Sequence, residues 1–445
     1  MPLGLYISVP FCRTKCSYCN FASDVFSKSA YENYVARLLE DIADSRNFAS
    51  ELGCALEETV DSIYLGGGTP SILDTAQLLR IFATVRGQFA VTSDAEITVE
   101  CAPGTLTPAL IETLRQCGVN RVSLGVQSFV DQEAQPVGRL HKRTTVLEEI
   151  DRLREAGLAN ISIDLIAGLP HQTSESWAFS VSETIATGVP HVSVYMLEVD
   201  EDSRLGRELI AGGSRYHAHF VPDEDATADF YEQACEMLSS AGIAQYEISN
   251  FARVVPSSNN QSRHNLKYWT RQPYLGFGVD AHSMLPMPAW GRAPSPVQAE
   301  RSSAVARALS NSRFAIADDG IEHDRHLAVR FATPDSLDAY MNRAPHTVTP
   351  ISAQAAIEES FFLGLRLNRG VDLERLLKPF MNCHPERSEG PAVWESAIQQ
   401  CLRDGLLEQQ GTTLRLTARG RLLSNEVFAR FLTEEKVGTG HVNPR

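Results

Sequence analysis

Six short β-rich apolar runs, each followed by a longer stretch, constrain this chain more than any other feature of it. The runs occupy residues 3–9, 62–65, 96–100, 121–127, 161–166 and 192–197, with a weaker seventh at 245–249. Amphipathic segments of helical period at 30–42, 75–85, 108–117, 146–156 and 226–241 lie among them. Alternation of this kind is the signature of βα units around a parallel sheet. The stripe Tyr34, Leu38, Leu39, Ile42 keeps one apolar face at helical spacing, and Leu153 and Ala156 followed by Gly157 mark a helix that stops at a glycine.

Most of these runs end in something chemical. Cysteines follow the first, Gly66-Gly67-Gly68-Thr69 the second, Glu100 closes the third, Gln127 the fourth, and Asp164 lies within the fifth. In β/α barrels the site lies at the carboxyl ends of the strands, so polar residues falling there converge on one mouth.

The regularity fails after about residue 250. Residues 286–324 are rich in Pro, Ala, Ser and Arg without a sustained period and read as a loop or insertion, and 382–391, with its Cys383-His384 pair, reads as a second interruption. From 358 to 432 the order helix, helix, hairpin, helix suggests a small winged-helix-like α+β domain. The expected division is 1–250 as the barrel core, 251–345 as a bridging segment, and 346–435 as a small cap, with the last dozen residues fraying.

A chain of 445 residues with 43% apolar and 21% charged residues is an ordinary globular one with room for two or three domains. No window approaches the roughly 18 apolar residues of a membrane-spanning helix, and no basic leader precedes the first run, so the expected address is cytoplasmic and not integral to a membrane. Forty Lys and Arg against 55 Asp and Glu leave a charge of −15, which argues against nonspecific nucleic-acid binding.

Nine cysteines at irregular spacing do not resemble a disulfide framework, and six of them are scattered singly as small buried hydrophobes. The other three, Cys12, Cys16 and Cys19, fall within eight residues. Three soft ligands from one tight loop suit a cubane iron–sulfur cluster with one iron left without a protein ligand. Structural zinc usually takes four ligands, and no second Cys or His pair stands at zinc-ribbon spacing downstream. An iron with an open position is a place for hard donor atoms, and S-adenosylmethionine (SAM) offers an amino group and a carboxylate that can chelate it.

CxxxCxxC with an aromatic before its third cysteine, followed by Gly66-Gly67-Gly68-Thr69-Pro70, resembles the radical SAM superfamily. With Tyr6-Ile7-Ser8-Val9-Pro10-Phe11 ahead of the loop, the chain is similar to the oxygen-independent coproporphyrinogen oxidase branch, and the likeness runs over most of its length. The fold this implies is α/β: a partial (β/α)6-type barrel core with the small C-terminal domain. The resemblance further implies that Cys12, Cys16 and Cys19 ligate a [4Fe-4S] cluster and that Tyr6 and Tyr18 flank bound SAM. Gly67, Gly68 and Thr69 would meet its methionyl amino group, where side-chain-free backbone allows close approach. Glu100 would accept from ribose hydroxyls or the amino group, Gln127 and Asp164 would bind the nucleoside side, and Arg139 would offer a forked donor to the carboxylate.

Oxidases of this branch carry a fourth cysteine two residues after the third, where this chain has Phe21. That departure, with His264-Asn265-Leu266-Lys267-Tyr268-Trp269, matches the branch's heme-chaperone subgroup. Imidazole can ligate heme iron, and an aromatic pair such as Tyr268 and Trp269 supplies a flat wall for a porphyrin. A histidine in such a loop is more often simply hydrogen-bonded, so His264 and His282 both stand as candidate ligands. Downstream, 274–283 resembles the glycine-rich segment that closes the site, with Asp280 where the family usually has glycine. The expected function is a chaperone that carries heme as cargo to acceptor hemoproteins, with no nucleic acid involved. Oxidative decarboxylation of porphyrinogen propionates is the alternative. A methyltransferase or cyclase accounts for the core but leaves the HNxxYW string unexplained.

Overall fold

The computed structural model describes residues 1–255, 258–288, 313–316, 327–383 and 390–432. Most of the insertion expected at 286–324, the centre of the second interruption and the expected fraying tail lie outside these residues. The chain forms two compact units, one of residues 1–268 and 272–351, the other of 269–271 and 352–445. The segment expected to bridge thus contributes most of its described residues to the first unit.

Six parallel strands organise that unit: β1 (Leu3–Val9), β2 (Thr59–Gly67), β3 (Ala90–Cys101), β4 (Arg121–Gln127), β5 (Ile161–Ala167) and β6 (His191–Met196). They pair in sequence order, β1-β2-β3-β4-β5-β6. Strands that follow one another without reversal are wound as in a barrel, and right-handed crossovers then place their helices on one face. Further strands extend both flanks. Beside β6 lie β8 (Asn250–Val255) and β7 (Ile243–Gln245), so residues 245–249, expected as a seventh strand, are largely the turn between two. A short β9 (Ser258–Asn259) pairs with β8. On the other flank β10 (Tyr274–Phe277) pairs in parallel with β1, and β11 (His282–Pro286) turns back along β10. Beyond β11 the sheet continues through Ala328–Ala332 and His346–Ile351 to Phe314–Ile316.

Along most of β1, β4 and β5 apolar and polar residues alternate, and this decides what the interior holds. Leu5, Ile7 and Val9 of β1, Val122, Leu124 and Val126 of β4, and Ile161, Ile163 and Leu165 of β5 are all fully buried. Tyr6 and Ser8, Ser123, Gly125 and Gln127, and Ser162 and Asp164 occupy the positions between them. Period-two side chains put these two sets on opposite faces of the sheet. One face is therefore apolar and packs on helices, and the other carries tyrosines, hydroxyls and carboxylates. A lumen lined this way is suited to a polar ligand rather than to a close-packed hydrophobic core.

The helices are set by ordinary local chemistry. Asp74 and Gln77 form a reciprocal capping box at the start of the helix Thr75–Gln88, and Thr173 with Ser176 does the same for Ser174–Thr187. The latter helix ends at Gly188 in the left-handed conformation.

In the second unit the helix Ala353–Leu365 precedes a three-stranded antiparallel sheet of Val371–Asp372, Thr413–Leu416 and Leu407–Gln410. Phe361 stacks on Phe431 at 4.7 Å and meets Trp394 at 6.0 Å between ring centres, which forms its core. Helices followed by a hairpin wing match the order expected from the sequence.

Candidate functional site

The glycine run after β2 is sewn to the segment that leads into the cysteine loop. The Gly68 amide donates to Val9 O at 2.8 Å and the Thr69 amide to Phe11 O at 2.8 Å. A Cβ on Gly68 would stand 2.7 Å from Phe11 O and 2.8 Å from Val9 O, so no side chain fits. Gly67 has φ +100°, which glycine adopts without strain. Thr69 Oγ1 lies 3.8 Å from Cys12 Sγ, and Cys12 Sγ lies 3.6 Å from Ser23 Oγ.

Two neighbours hold the cysteine loop. The Ser17 amide donates to Val137 O, Thr14 Oγ1 donates to Gly138 O, and the Leu205 amide reaches Ser17 O. Tyr18 packs on the cluster of Val137, Ile166 and Leu169. Cys12 is buried while Cys16 and Cys19 are half-buried. Burial pushes the Cys12 and Cys19 thiols up, and Cys16 adds to both shifts, so the three sulfurs lie within each other's electrostatic reach. Among the described residues no trio of Cys, His, Asp or Glu is arranged for a single metal ion.

Across the lumen, registered pairs bring the expected residues into neighbouring rows. Tyr6 pairs with Tyr64, Tyr64 with Thr98, Glu100 with Ser123, and Gly125 with Asp164. Tyr64 donates its hydroxyl to Glu100 Oε1 at 2.7 Å, and Gly66 leaves the room for this pair, since a Cβ there would stand 2.8 Å from the Tyr64 ring. Burial pushes the Glu100 carboxyl up to about 7, against hydrogen bonds from Tyr64 and the Gly67 amide and with help from Asp164. Asp164 accepts from Ser123 Oγ at 3.0 Å, and burial raises its carboxyl too.

At the edge of this row the register slips between Gly125 and Gln127, and Gln127 takes φ +69°. Such a bulge re-aims a side chain. A Cβ on Gly125 would lie 3.2 Å from Gln127 Nε2 and 3.3 Å from Arg139 Nη2, so Gln127 and Arg139 both crowd over this glycine. Arg139 Nη2 donates to the Tyr18 hydroxyl at 3.2 Å. Gln127 Oε1, Arg139 Nε and Thr98 Oγ1 are buried without a hydrogen-bond partner among the described residues. Unpaired buried polar groups are costly, and each calls for an explanation. An acceptor, a forked cation and a hydroxyl along one strand-end row fit a ligand that carries amino, carboxylate and hydroxyl groups, as SAM does.

The histidine of the HNxxYW string has a different environment. His264 is 1% exposed, its Nδ1 lies 3.0 Å from Ser62 Oγ, and its Nε2 lies 2.8 Å from the Tyr268 hydroxyl four residues on. Its amide donates to Glu96 Oε1 at 3.0 Å. Burial, with Lys267 nearby, holds the imidazole down at about 3, so it is neutral. With both ring nitrogens engaged His264 has no lone pair to give an iron in this arrangement. It stacks against Tyr64 at 5.4 Å, behind the ring that holds Glu100. Trp269, at the end of the helix Arg263–Trp269, belongs to the second unit and lies under the Arg366 guanidinium at 4.3 Å. His282 begins β11, with Nε2 3.8 Å from Asp280 Oδ1. Asp280 has φ +55°, which gives the physical reason for a glycine at that position.

Sequence reasoning missed Tyr64, Thr98, Ser123 and Gly125. The signal was present in the alternation, since Thr98 lies two residues before Glu100, and Ser123 and Gly125 lie four and two before Gln127.

Residues 6–181 match the radical SAM superfamily model, and residues 351–423 match the HemN C-terminal domain. The chain is 31% identical to the heme chaperone HemW of Bacillus subtilis (strain 168), over 96% of this chain and 99% of that one. It is 30% identical to the heme chaperone HemW of Lactococcus lactis subsp. lactis (strain IL1403), over 98% of each. Among solved structures the coproporphyrinogen III oxidase HemN from Escherichia coli has the same fold, with a TM-score of 0.72 at 22% identity over 97% of this chain and 90% of that one.

Proposed function

This chain belongs to the HemW heme-chaperone family, and we propose that it binds heme and delivers it to acceptor hemoproteins, working with a [4Fe-4S] cluster and SAM. The observation that carries the reading is the full-length likeness to HemW proteins combined with Phe21 two residues after Cys19. An oxidase of the branch has a cysteine there, and this chain presents an aromatic ring that is 58% exposed. Among the described residues no helix is long and apolar enough to cross a membrane.

Membership of the radical SAM superfamily implies the cluster and SAM. Cys12, Cys16 and Cys19 would hold the cluster, on a loop whose backbone is anchored at Val137, Gly138 and Leu205. When bound, the cluster and SAM supply an iron with a chelated position and a means of one-electron chemistry. The chain's own contribution is orientation. Arg139 offers a half-buried guanidinium to a carboxylate, with Tyr18 fixing one arm of the fork. Gln127 offers an acceptor and Thr98 a hydroxyl, and Glu100 and Asp164 present carboxyls whose ionisation burial disfavours, that of Glu100 being pushed up to about 7. Tyr6 and Tyr64, stacked at 6.1 Å, wall the lumen beside them.

The test reconstitutes the cluster anaerobically and offers heme or, separately, coproporphyrinogen with SAM. Stoichiometric heme binding, passage of that heme to an apo-hemoprotein and no release of carbon dioxide are expected. Turnover of coproporphyrinogen to protoporphyrinogen would overturn the reading.

A further inference from the structure

If the chain carries heme, its iron needs a ligand, and the described histidines differ in what their rings already hold. His191 and His264 are buried with both ring nitrogens engaged. His141 is buried with Nε2 on Val126 O, and the half-buried His346 packs on Phe48. Another pair lies at the surface of the strand-end rim, His171 exposed and His217 half-buried. His171, in the loop after β5, and His217, in the loop after the helix Arg204–Ala211, place Nε2 and Nδ1 2.7 Å apart.

Several independent features build this pair. Both residues have positive φ, +68° and +59°, and they are two of the six described residues other than glycine that do. Such conformations persist where the surroundings over-determine them, and they cluster at ligand sites. For His217 the surroundings are visible. Glu208 accepts the backbone amides of Arg215, Tyr216 and Ala218 and so clamps the loop on both sides of it. His171 is fixed by its amide, which donates to Phe220 O, and by its ring, which stacks on Phe220 at 4.2 Å. Phe220 itself is 59% exposed. Leu169, two residues before His171, packs in the cluster that receives Tyr18 of the cysteine loop, so the pair stands on the same rim as the proposed cluster site.

We propose that His217 Nε2 is the ligand of the cargo heme's iron, with His171 as its positioning residue; this rests on the heme-chaperone reading. Ligating histidines almost always donate their other ring N–H to a partner, which fixes tautomer and ring angle. The Nδ1 contact to His171 supplies that partner, and it leaves His217 Nε2 with no hydrogen-bond partner among the described residues. Two imidazoles 2.7 Å apart on one side cannot take the opposite axial positions of one iron, so a single ligand with an orienting neighbour is the arrangement the geometry allows. The exposed Phe220 ring beside them gives the macrocycle an apolar face. One imidazole on a surface loop also makes a release-ready attachment, as a carrier requires.

The experiment titrates ferric heme into the full-length protein with its cluster reconstituted, and reads affinity, the Soret band and the iron's electron paramagnetic resonance. His171→Ala is expected to weaken heme binding about 10–100-fold, the range for loss of an orienting partner, and His217→Ala by at least as much with a changed iron spectrum. Added imidazole is expected to restore the His217→Ala spectrum toward wild type. Phe220→Ala is expected to weaken binding with the spectrum unchanged. Unaltered affinity and spectrum in His217→Ala, or their loss in His282→Ala instead, would overturn the assignment while leaving the chaperone reading intact. Failure of the wild-type protein to bind heme at all would overturn both.

Discussion

Gln127 with Arg139 on one side of the lumen, and His264 with its partners on the other, are both buried polar groups, and they differ in how far their hydrogen bonds are filled. Arg139 Nε and Gln127 Oε1 have no partner among the described residues, whereas both ring nitrogens of His264 are taken by Ser62 and Tyr268. A saturated network rigidifies a fold, and an unsaturated one costs stability until something fills it. The difference separates residues that build the wall from residues that wait for a ligand, although the sequence motifs lent both the same standing.

The hardest blow to this comparison comes through the cysteines. Cys16→Ser is expected to abolish the visible absorbance of a reconstituted cluster while thermal unfolding of the metal-free protein stays close to wild type, because Cys16 is only half-buried. Full iron content in that variant would remove the mouth from the ligand-waiting class. Next in size is His264→Ala, which strands Ser62 and Tyr268 and opens a cavity, so we expect a loss of about 2–4 kcal/mol in stability by denaturant titration. SAM binding to the folded fraction is expected to be unchanged. A variant that kept its stability and lost SAM would reverse the assignment of the two regions.

Arg139→Gln sharpens the same contrast from the other side. A charge-assisted hydrogen bond is worth about 1.5–3 kcal/mol, so SAM affinity by calorimetry is expected to fall at least about tenfold. Thermal stability without ligand is expected to rise or stay level, since a guanidinium whose buried Nε has no partner among the described residues is then removed. A fall in stability with affinity intact would make Arg139 part of the wall.

The parallel core was legible because period and propensity act locally: β4 begins at Arg121 and ends at Gln127 as the apolar run indicated. The helix Arg204–Ala211 was not, since its eight residues sit in a polar stretch and its place depends on Glu208 binding the following loop. Strand β10 was hidden for a similar reason, because Tyr274–Phe277 becomes a strand by pairing with β1 from far away in the chain. In the site, the glycine run, Glu100 and Gln127 lie at the carboxyl ends of their strands, which topology dictates, whereas His264 of the HNxxYW string bonds Ser62 and Glu96. What the motifs could not convey was hydrogen-bond saturation, a property of the three-dimensional neighbourhood. His264 was therefore indistinguishable from an available ligand, and the pair His171 and His217, joined across 46 residues, left no local pattern at all.

The two regions also differ in the sign of their response to pH, which gives the smallest and most specific test. Glu100 has its folded carboxyl raised from 4.5 to about 7, so between those values the folded state holds more proton than the unfolded one. Stability from this group is full below pH 4.5 and falls as pH rises toward 7. His264 is lowered from 6.5 to about 3, so the unfolded state holds more proton in that window, and its contribution is full above pH 6.5 and is lost as pH falls. In the metal-free protein, Glu100→Gln is therefore expected to gain melting temperature relative to wild type as pH climbs from 4.5 to 7 and then level off. His264→Asn is expected to lose ground relative to wild type as pH rises through the upper half of its window and to hold a constant deficit above pH 6.5. Saturating SAM should flatten the first difference alone, because donors that reach Glu100 favour its ionised form, and they have no route to an imidazole already enclosed by Ser62 and Tyr268. Equal flattening of both curves would show that the two regions are one site.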